Sequence, residues 1–181
     1  MGYISITEIK FSKATTKTDE NFLISVSFDS VKDINREVTW KCLYISDPSD
    51  ESNDILLDEI IMDSIESGSN TFDWEIESPD YSKLQNQFDI FDSSVIIFSV
   101  SIADQDFFRC SYFIIHEYNT EELNDDPPSE IDWDNLIRIV KTDNPIVNVK
   151  QIDWENILDD KNKGDKVKLG DHQFQNIDML G

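Results

Sequence analysis

Basic residues are scarce in this chain, and where they are missing matters more than how few there are. Between Cys42 and Phe108 there is one, Lys83, against sixteen acids running from Asp47 to Asp106. The formal charge over 181 residues is −23. Binding a phosphate backbone by charge needs clustered Lys and Arg, so neither direct nucleic-acid binding nor attachment to an anionic membrane is expected. Basic proteins are the partners such a surface attracts. Glycine is rare as well: Gly2, Gly68, Gly164, Gly170 and Gly181 form no phosphate-cradling loop, and no Gly-x-Ser-x-Gly elbow occurs. The two histidines, His116 and His172, are far apart and fit no metal-ligand spacing. His116 alternates with strand residues and reads as packed or at a rim. No catalytic residue, metal or cofactor is therefore expected, and the chain does not read as an enzyme.

Other absences bound the setting. Cys42 and Cys110 lie in apolar, strand-like runs and read as buried free thiols rather than a bridge. There is no apolar N-terminal h-region, no apolar run of membrane-spanning length and no N-x-[ST] acceptor, which predicts a cytosolic or nuclear protein. Asp47-Pro-Ser-Asp-Glu-Ser-Asn-Asp54 has the acids of a calcium loop but lacks the central Gly and the terminal Glu at the required offset. Asp104-Gln-Asp106 reads as a hairpin turn.

What the chain does contain is alternation. Tyr3–Phe11, Phe22–Phe28, Glu37–Ser46, Ile55–Ile65, Thr71–Glu77, Ser94–Ala103 and Asp106–Tyr118 are rich in β-branched and aromatic residues and are separated by turn-like clusters. The clearest is Phe22, Ile24, Val26 and Phe28 opposite Ser25 and Ser27. Seven such segments at regular spacing predict a mainly all-β fold, an antiparallel sandwich of immunoglobulin-like size. Ser78-Pro79-Asp80 predicts a short turn into Tyr81–Gln85. Pro127-Pro128 followed by Trp133, Leu136, Ile137 and Val140 at helical spacing predicts one short helix packed on the sandwich near its C-terminal end, stopping before Asn144-Pro145. A last strand is expected over Val147–Ile152. The domain is expected to span residues 1–155, and polar residues 156–181 a flexible tail.

Phe108-Arg-Cys-Ser-Tyr-Phe-Ile-Ile-His-Glu-Tyr118, Asn119-Thr-Glu-Glu-Leu123, Asp126-Pro-Pro128, Asn144-Pro145 and Ile152-Asp-Trp-Glu155 resemble, in order and spacing, the anti-silencing-function histone chaperones. Phe28, Asp33, Trp40-Lys41, Tyr44, Asp54, Leu57-Asp58, Gly68 and Phe72 extend the likeness upstream. The resemblance implies an elongated immunoglobulin-like β-sandwich that binds a heterodimer of histones three and four in the nucleus, and also in the cytoplasm, and passes it to deposition factors; a monomer is expected.

By that resemblance Ile45, Asp50, Glu51, Asp54, Asp89, Val95, Ile97, Arg109, Phe113 and Val147 are the histone-binding positions. Val95 corresponds to the central apolar contact, Asp54 to an acid pairing with a basic histone residue, and Arg109 to an arginine pairing with histone carboxylates. Val147–Ile152 corresponds to the segment that accepts the C-terminal strand of histone four. The default for apolar strand residues is burial; the resemblance instead predicts an exposed Val95. Phe28, Glu37, Val38, Asp58, Ile61 and Met62 correspond to a second groove for basic peptides of downstream factors. The chain departs from the family at Phe113, where tyrosine is usual, at Ile146, where arginine is frequent, at Arg36, where an acid is frequent, and in its tail, where five acids face four lysines. The alternative reading is an acidic β-sandwich adaptor that binds basic peptides without preferring histones.

Overall fold

The computed structural model describes residues 2–50, 52, 54–84 and 86–159. It is an all-β sandwich of antiparallel strands. The smaller sheet holds β1 (Ile4–Phe11), β3 (Phe22–Ser30) and β6 (Gly68–Ile76) in the order β1-β3-β6. The larger has the order β2-β9-β8-β7-β4-β5, built from β2 (Thr15–Lys17), β4 (Val38–Ile45), β5 (Ile55–Met62), β7 (Ser94–Ile102), β8 (Gln105–Tyr118) and β9 (Leu136–Val140). The first half of β8 also pairs with β10 (Ile146–Val149). The described residues also hold two short α-helices, α1 (Glu121–Asp125) and α2 (Trp154–Leu158).

Alternation decides what each strand buries. Phe22, Ile24, Val26 and Phe28 of β3 face Trp40, Cys42 and Tyr44 of β4 and Ile96, Phe98 and Val100 of β7 in one continuous core. Aromatic rings fill the space between the sheets: Phe28–Trp40 and Trp40–Phe72 have centroids 5.0 and 5.1 Å apart. Truncating a ring packed this way costs about 3–5 kcal/mol. Both cysteines are buried free thiols in this core. Burial pushes the Cys42 thiol well above its usual range, with the Asp58 carboxylate adding to the shift.

The seven expected strands form. Ile102 pairs with Gln105, so Ala103 and Asp104 make a two-residue hairpin turn, both with positive φ (50° and 58°). Asp80 accepts from the Ser82 amide and opens the turn Tyr81–Lys83.

The helix expected over Trp133–Val140 is not there. Trp133–Asn135 is a single 3-10 turn, and Leu136–Val140 is strand β9 against Ile114–Tyr118. Leu136, Arg138 and Val140 are buried alternately. Arg138 is fully buried: its Nη1 and Nη2 donate to the carbonyls of Thr18 and Glu20 at 3.3 and 2.6 Å, and its guanidinium lies 3.8 Å from the Phe22 ring centre. The short helix at the C-terminal end is α2, which sets Trp154 on Phe107 (centroids 4.8 Å apart) and on Tyr3 (5.6 Å). The last strand starts at Ile146 and ends at Val149, three residues short of Ile152. The chain from Asp160, most of the expected tail, lies outside the described residues.

Candidate protein-binding face

The register of the larger sheet arranges its outer face in rows. Ile45, Val95 and Phe113 pair across β4, β7 and β8. Next come Leu43, Ile97, Ser111 and Ile146, and then Lys41, Ser99, Arg109 and Asn148. None of these residues belongs to the core between the sheets. The face therefore grades from an apolar row, through a second apolar row broken by Ser111, to a row carrying two cations. Arg109 is held by Asp106, 3.6 Å from its Nη2. Burial pushes the Asp106 carboxyl up against the opposing pull of Arg109, Lys41 and Lys150.

Acids gather beside the apolar row. The loop after β4 and the segment before β7 enclose a concavity of about 440 Å³ lined by Asp47, Asp50, Asp54, Asp89 and Asp92, with Ile55 and Leu84 as apolar wall. Two Asp-x-Ser turns shape its rim. Asp47 Oδ1 accepts the Ser49 amide and hydroxyl at 2.8 and 2.6 Å, and Asp50 Oδ1 accepts those of Ser52 at 3.0 and 2.6 Å. The Ser49 hydrogen bonds hold the Asp47 carboxyl below the usual carboxylate range. The Asp47 carboxylate is thereby held ionised and in one orientation, which suits a rim that pairs with cations.

Ile45, Asp50, Asp54, Asp89, Val95, Ile97, Arg109 and Phe113 thus lie on one continuous surface. Glu51 lies outside the described residues. Val147 sits on β10, which pairs only with β8 among the described strands, and is 52% exposed. Val95 and Ile97 depart from expectation. They point away from the core between the sheets, yet they are only 1% and 2% exposed, where an exposed Val95 was expected.

The six residues of the expected second groove do not share a surface. Phe28 and Val38 are in the core, 3% and 0% exposed. Met62 pairs with Val38 on the inner side of β5, whereas Ile61 points outward and is half exposed. Glu37 is exposed. Asp58 accepts a 2.7 Å hydrogen bond from Trp74 Nε1 across the sheets. Phe28 and Val38 are core residues because they alternate in phase with Val26 and Trp40. Arg36 donates to the Ile157 carbonyl. It therefore ties the C-terminal turn of α2 to the sandwich, a role that only the position of α2 reveals.

An apolar sheet face with a polar rim, beside a strand that pairs with one described neighbour, is the arrangement of a β-sandwich suited to binding protein. Residues 1–155 match the profile of the ASF1 like histone chaperone family, and the chain belongs to that family. It is 29% identical over 154 residues to "Histone chaperone asf1" of Dictyostelium discoideum, covering 85% of this chain and 99% of that one. It is 27% identical over 154 residues to "Probable histone chaperone ASF1A" of Arabidopsis thaliana, covering 85% and 78%. With "Histone chaperone ASF1" of Mycosarcoma maydis it shares 25% identity over 155 residues, covering 86% and 88%.

Proposed function

We propose that this protein binds the heterodimer of histones three and four, keeps two such heterodimers from pairing, and hands its cargo to nucleosome assembly factors, acting as a monomeric, non-enzymatic chaperone in the nucleus and cytoplasm. The observation that carries the reading is the adjacency of the Ile45–Val95–Phe113 row to the Asp50–Asp54–Asp89 concavity. Apolar side chains at the centre supply burial, and the acids neutralise histone charge without a desolvated, unpaired anion at the centre. Arg109 is placed to meet a carboxylate in an otherwise acidic neighbourhood. The edge of β10 at Val147 and Val149 that pairs with no other described strand offers backbone groups to a strand of histone four. Downstream factors with basic peptides fit the side of the sandwich where Glu37 and Ile61 are exposed and Asp58 lies nearby, with Phe28, Val38 and Met62 as support beneath rather than as contacts.

The test is to mix the protein with a refolded histone three–four pair and measure mass in solution. One chain with one histone heterodimer is expected, over an interface of at least about 1,200 Å². A histone tetramer that persists with no complex overturns the reading. Val95→Arg puts a cation against basic histones at the centre and should abolish binding. Because it also strains a buried site, Asp54→Ala and Arg109→Ala serve beside it. Each is expected to weaken binding by roughly 10- to 100-fold while the fold survives, which circular dichroism checks.

A further inference from the structure

Strand β8 outruns its neighbour. Ser94, the first residue of β7, pairs with Ile114, yet β8 continues to Tyr118. On this overhang alternation buries His116 and Tyr118 and exposes Glu117. β9 supports one flank through the pairs from Ile114–Val140 to Tyr118–Leu136. Against the buried side chains of the overhang packs the chain between β6 and β7, which holds the 3-10 turns Tyr81–Lys83 and Gln87–Phe91.

The overhang holds this chain at both of its turns. The Tyr81 hydroxyl lies 3.1 Å from His116 Nε2, and the two rings meet edge to face with centroids 5.4 Å apart. The other imidazole nitrogen, Nδ1, is buried at the Ile90 backbone. Phe91 lies on Tyr118 at 5.6 Å. The second turn is also closed on itself. Asn86 Oδ1 accepts the Phe88 amide at 3.1 Å, the Asp89 amide donates to the Asn86 carbonyl at 3.1 Å, and the Asp92 amide donates to the Asp89 carbonyl at 3.0 Å. A turn closed in this way moves as a unit, so its anchors set its position. Asp89 stands next to the buried Ile90 and Asp92 next to Phe91, and both acids line the concavity.

We propose that Tyr81 and His116 are positioning residues for the acid rim: buried themselves, they fix the turn that carries Asp89 and Asp92, and through it they set how strongly the rim attracts a basic partner. In taking that partner to be the histone pair, the inference rests on the functional reading above. The physical reason is entropic as much as electrostatic. A carboxylate on a loose turn must be immobilised when it pairs with a cation, and that ordering offsets the small gain an exposed ion pair brings. A carboxylate held in place beforehand keeps the gain.

The experiment uses the full chain. Tyr81→Phe removes the hydroxyl and leaves the ring seated by Tyr44 and Trp133, 6.1 and 5.9 Å away, so the sandwich should fold. In the free protein the backbone amide order parameters of Asp89 and Asp92 should fall from about 0.85 toward about 0.6, with those of β1 and β3 unchanged. Unchanged values at Asp89 and Asp92 overturn the positioning. His116→Phe, which removes the other half of the contact, should loosen the same two residues; a rigid turn there also overturns it. Against a refolded histone three–four pair, Tyr81→Phe should weaken binding about two- to fivefold, the range of one exposed ion pair, and make affinity less dependent on salt. In a chain that already carries Asp89→Ala and Asp92→Ala, Tyr81→Phe should change nothing, since the turn then has no charge left to place. An equal loss in both backgrounds overturns the proposal, because Tyr81 then acts through the fold and not through the acids. So does an unchanged affinity in the parent background. If the parent chain does not bind the histone pair, the functional reading fails alone, and the order parameters still decide whether the contact holds the turn.

Discussion

Trp74 Nε1 on β6 donates to Asp58 Oδ2 on β5 at 2.7 Å, joining the edge strands of the two sheets. Backbone ladders hold each sheet together, and this side-chain bond spans the gap between β5 and β6, beside the backbone bridge of Ile34 with Ile65. A partly buried, charge-assisted hydrogen bond of this kind contributes more than a neutral one, and removing its acceptor leaves a buried N–H without a partner. Asp58→Ala is expected to lower stability by about 1–3 kcal/mol, read as a lower urea midpoint at unchanged m-value. Trp74→Phe combined with Asp58→Ala should recover part of the loss, since the donor then disappears too. If the double variant is no better than the sum of the singles, the bond is not the reason for the loss.

His116 predicts a defined acid sensitivity. It is buried, with Nε2 3.1 Å from the Tyr81 hydroxyl. Burial, and secondarily the charge of Arg138, push its pKa down from 6.5 to about 4. The folded state therefore holds a neutral ring where the unfolded chain takes up a proton. Stability should be fully present above pH 6.5, fall as pH drops from 6.5 to about 4, and gain no further loss from this group below that. The upper bound is about 3 kcal/mol. His116→Gln should narrow the gap between unfolding midpoints at neutral pH and at about pH 4.5. An equal gap in parent and variant assigns the acid sensitivity to carboxylates instead.

Much of this architecture is legible in the sequence, and the misreadings have physical causes. β3 and β4 present one buried and one solvated face, so period-two alternation reports them directly. β7 is buried on both faces and shows only a continuous apolar run; the alternation that separates Ile96 from Val95 and Ile97 is invisible until the neighbouring strands are placed. β9 imitates a helix in the sequence because its central buried residue is an arginine. Leu136, Arg138 and Val140 read as apolar, polar, apolar, while Trp133, Leu136, Ile137 and Val140 imitate helical spacing. The carbonyls of Thr18 and Glu20 and the Phe22 ring, distant in sequence, make a buried guanidinium tolerable. In the candidate site, the resemblance pointed to Val95, Asp54 and Arg109, but nothing local reveals that Val95 is 1% exposed or that Arg36 is tied to Ile157.

Arg138 should therefore be intolerant of change. Arg138→Leu removes the charge but leaves the carbonyls of Thr18 and Glu20 without their donors and replaces a stacked guanidinium with a smaller side chain. A loss of about 2–4 kcal/mol is expected from unpaired polar groups and lost packing. Arg138→Lys keeps the charge yet cannot donate through a planar fork to two carbonyls and lie flat on Phe22 at once, so it should rescue little. Thermal unfolding of both variants checks this; full rescue by lysine would show that charge alone is required.

Salt separates a shaped interface from general acidity. Attraction between the acidic surface and any basic protein falls with ionic strength because exposed charges are screened beyond about 8 Å at physiological salt. Contacts centred on the Ile45–Val95–Phe113 row are not. Affinity for the folded histone three–four pair should persist at about 0.3 M salt, while affinity for an unrelated basic protein of similar size collapses. Parallel loss of both would favour the adaptor reading, in which acids alone recruit partners.

The β7–β8 turn offers a stabilising substitution. Ala103 and Asp104 both occupy the left-handed region. Asp tolerates it through local hydrogen bonding, but Ala carries a Cβ penalty of about 1–2 kcal/mol there. Glycine at the first position relieves that strain while adding unfolded-state entropy worth about 0.4–1 kcal/mol. It also forfeits a methyl that packs partly on the core. The balance favours Ala103→Gly by about 0.5 kcal/mol on these opposing terms. Because the turn joins the two strands that carry Val95, Ile97 and Arg109, the substitution should raise the unfolding midpoint without altering partner affinity. A lower midpoint would mean that the Ala103 methyl contributes more by packing than it costs in backbone strain.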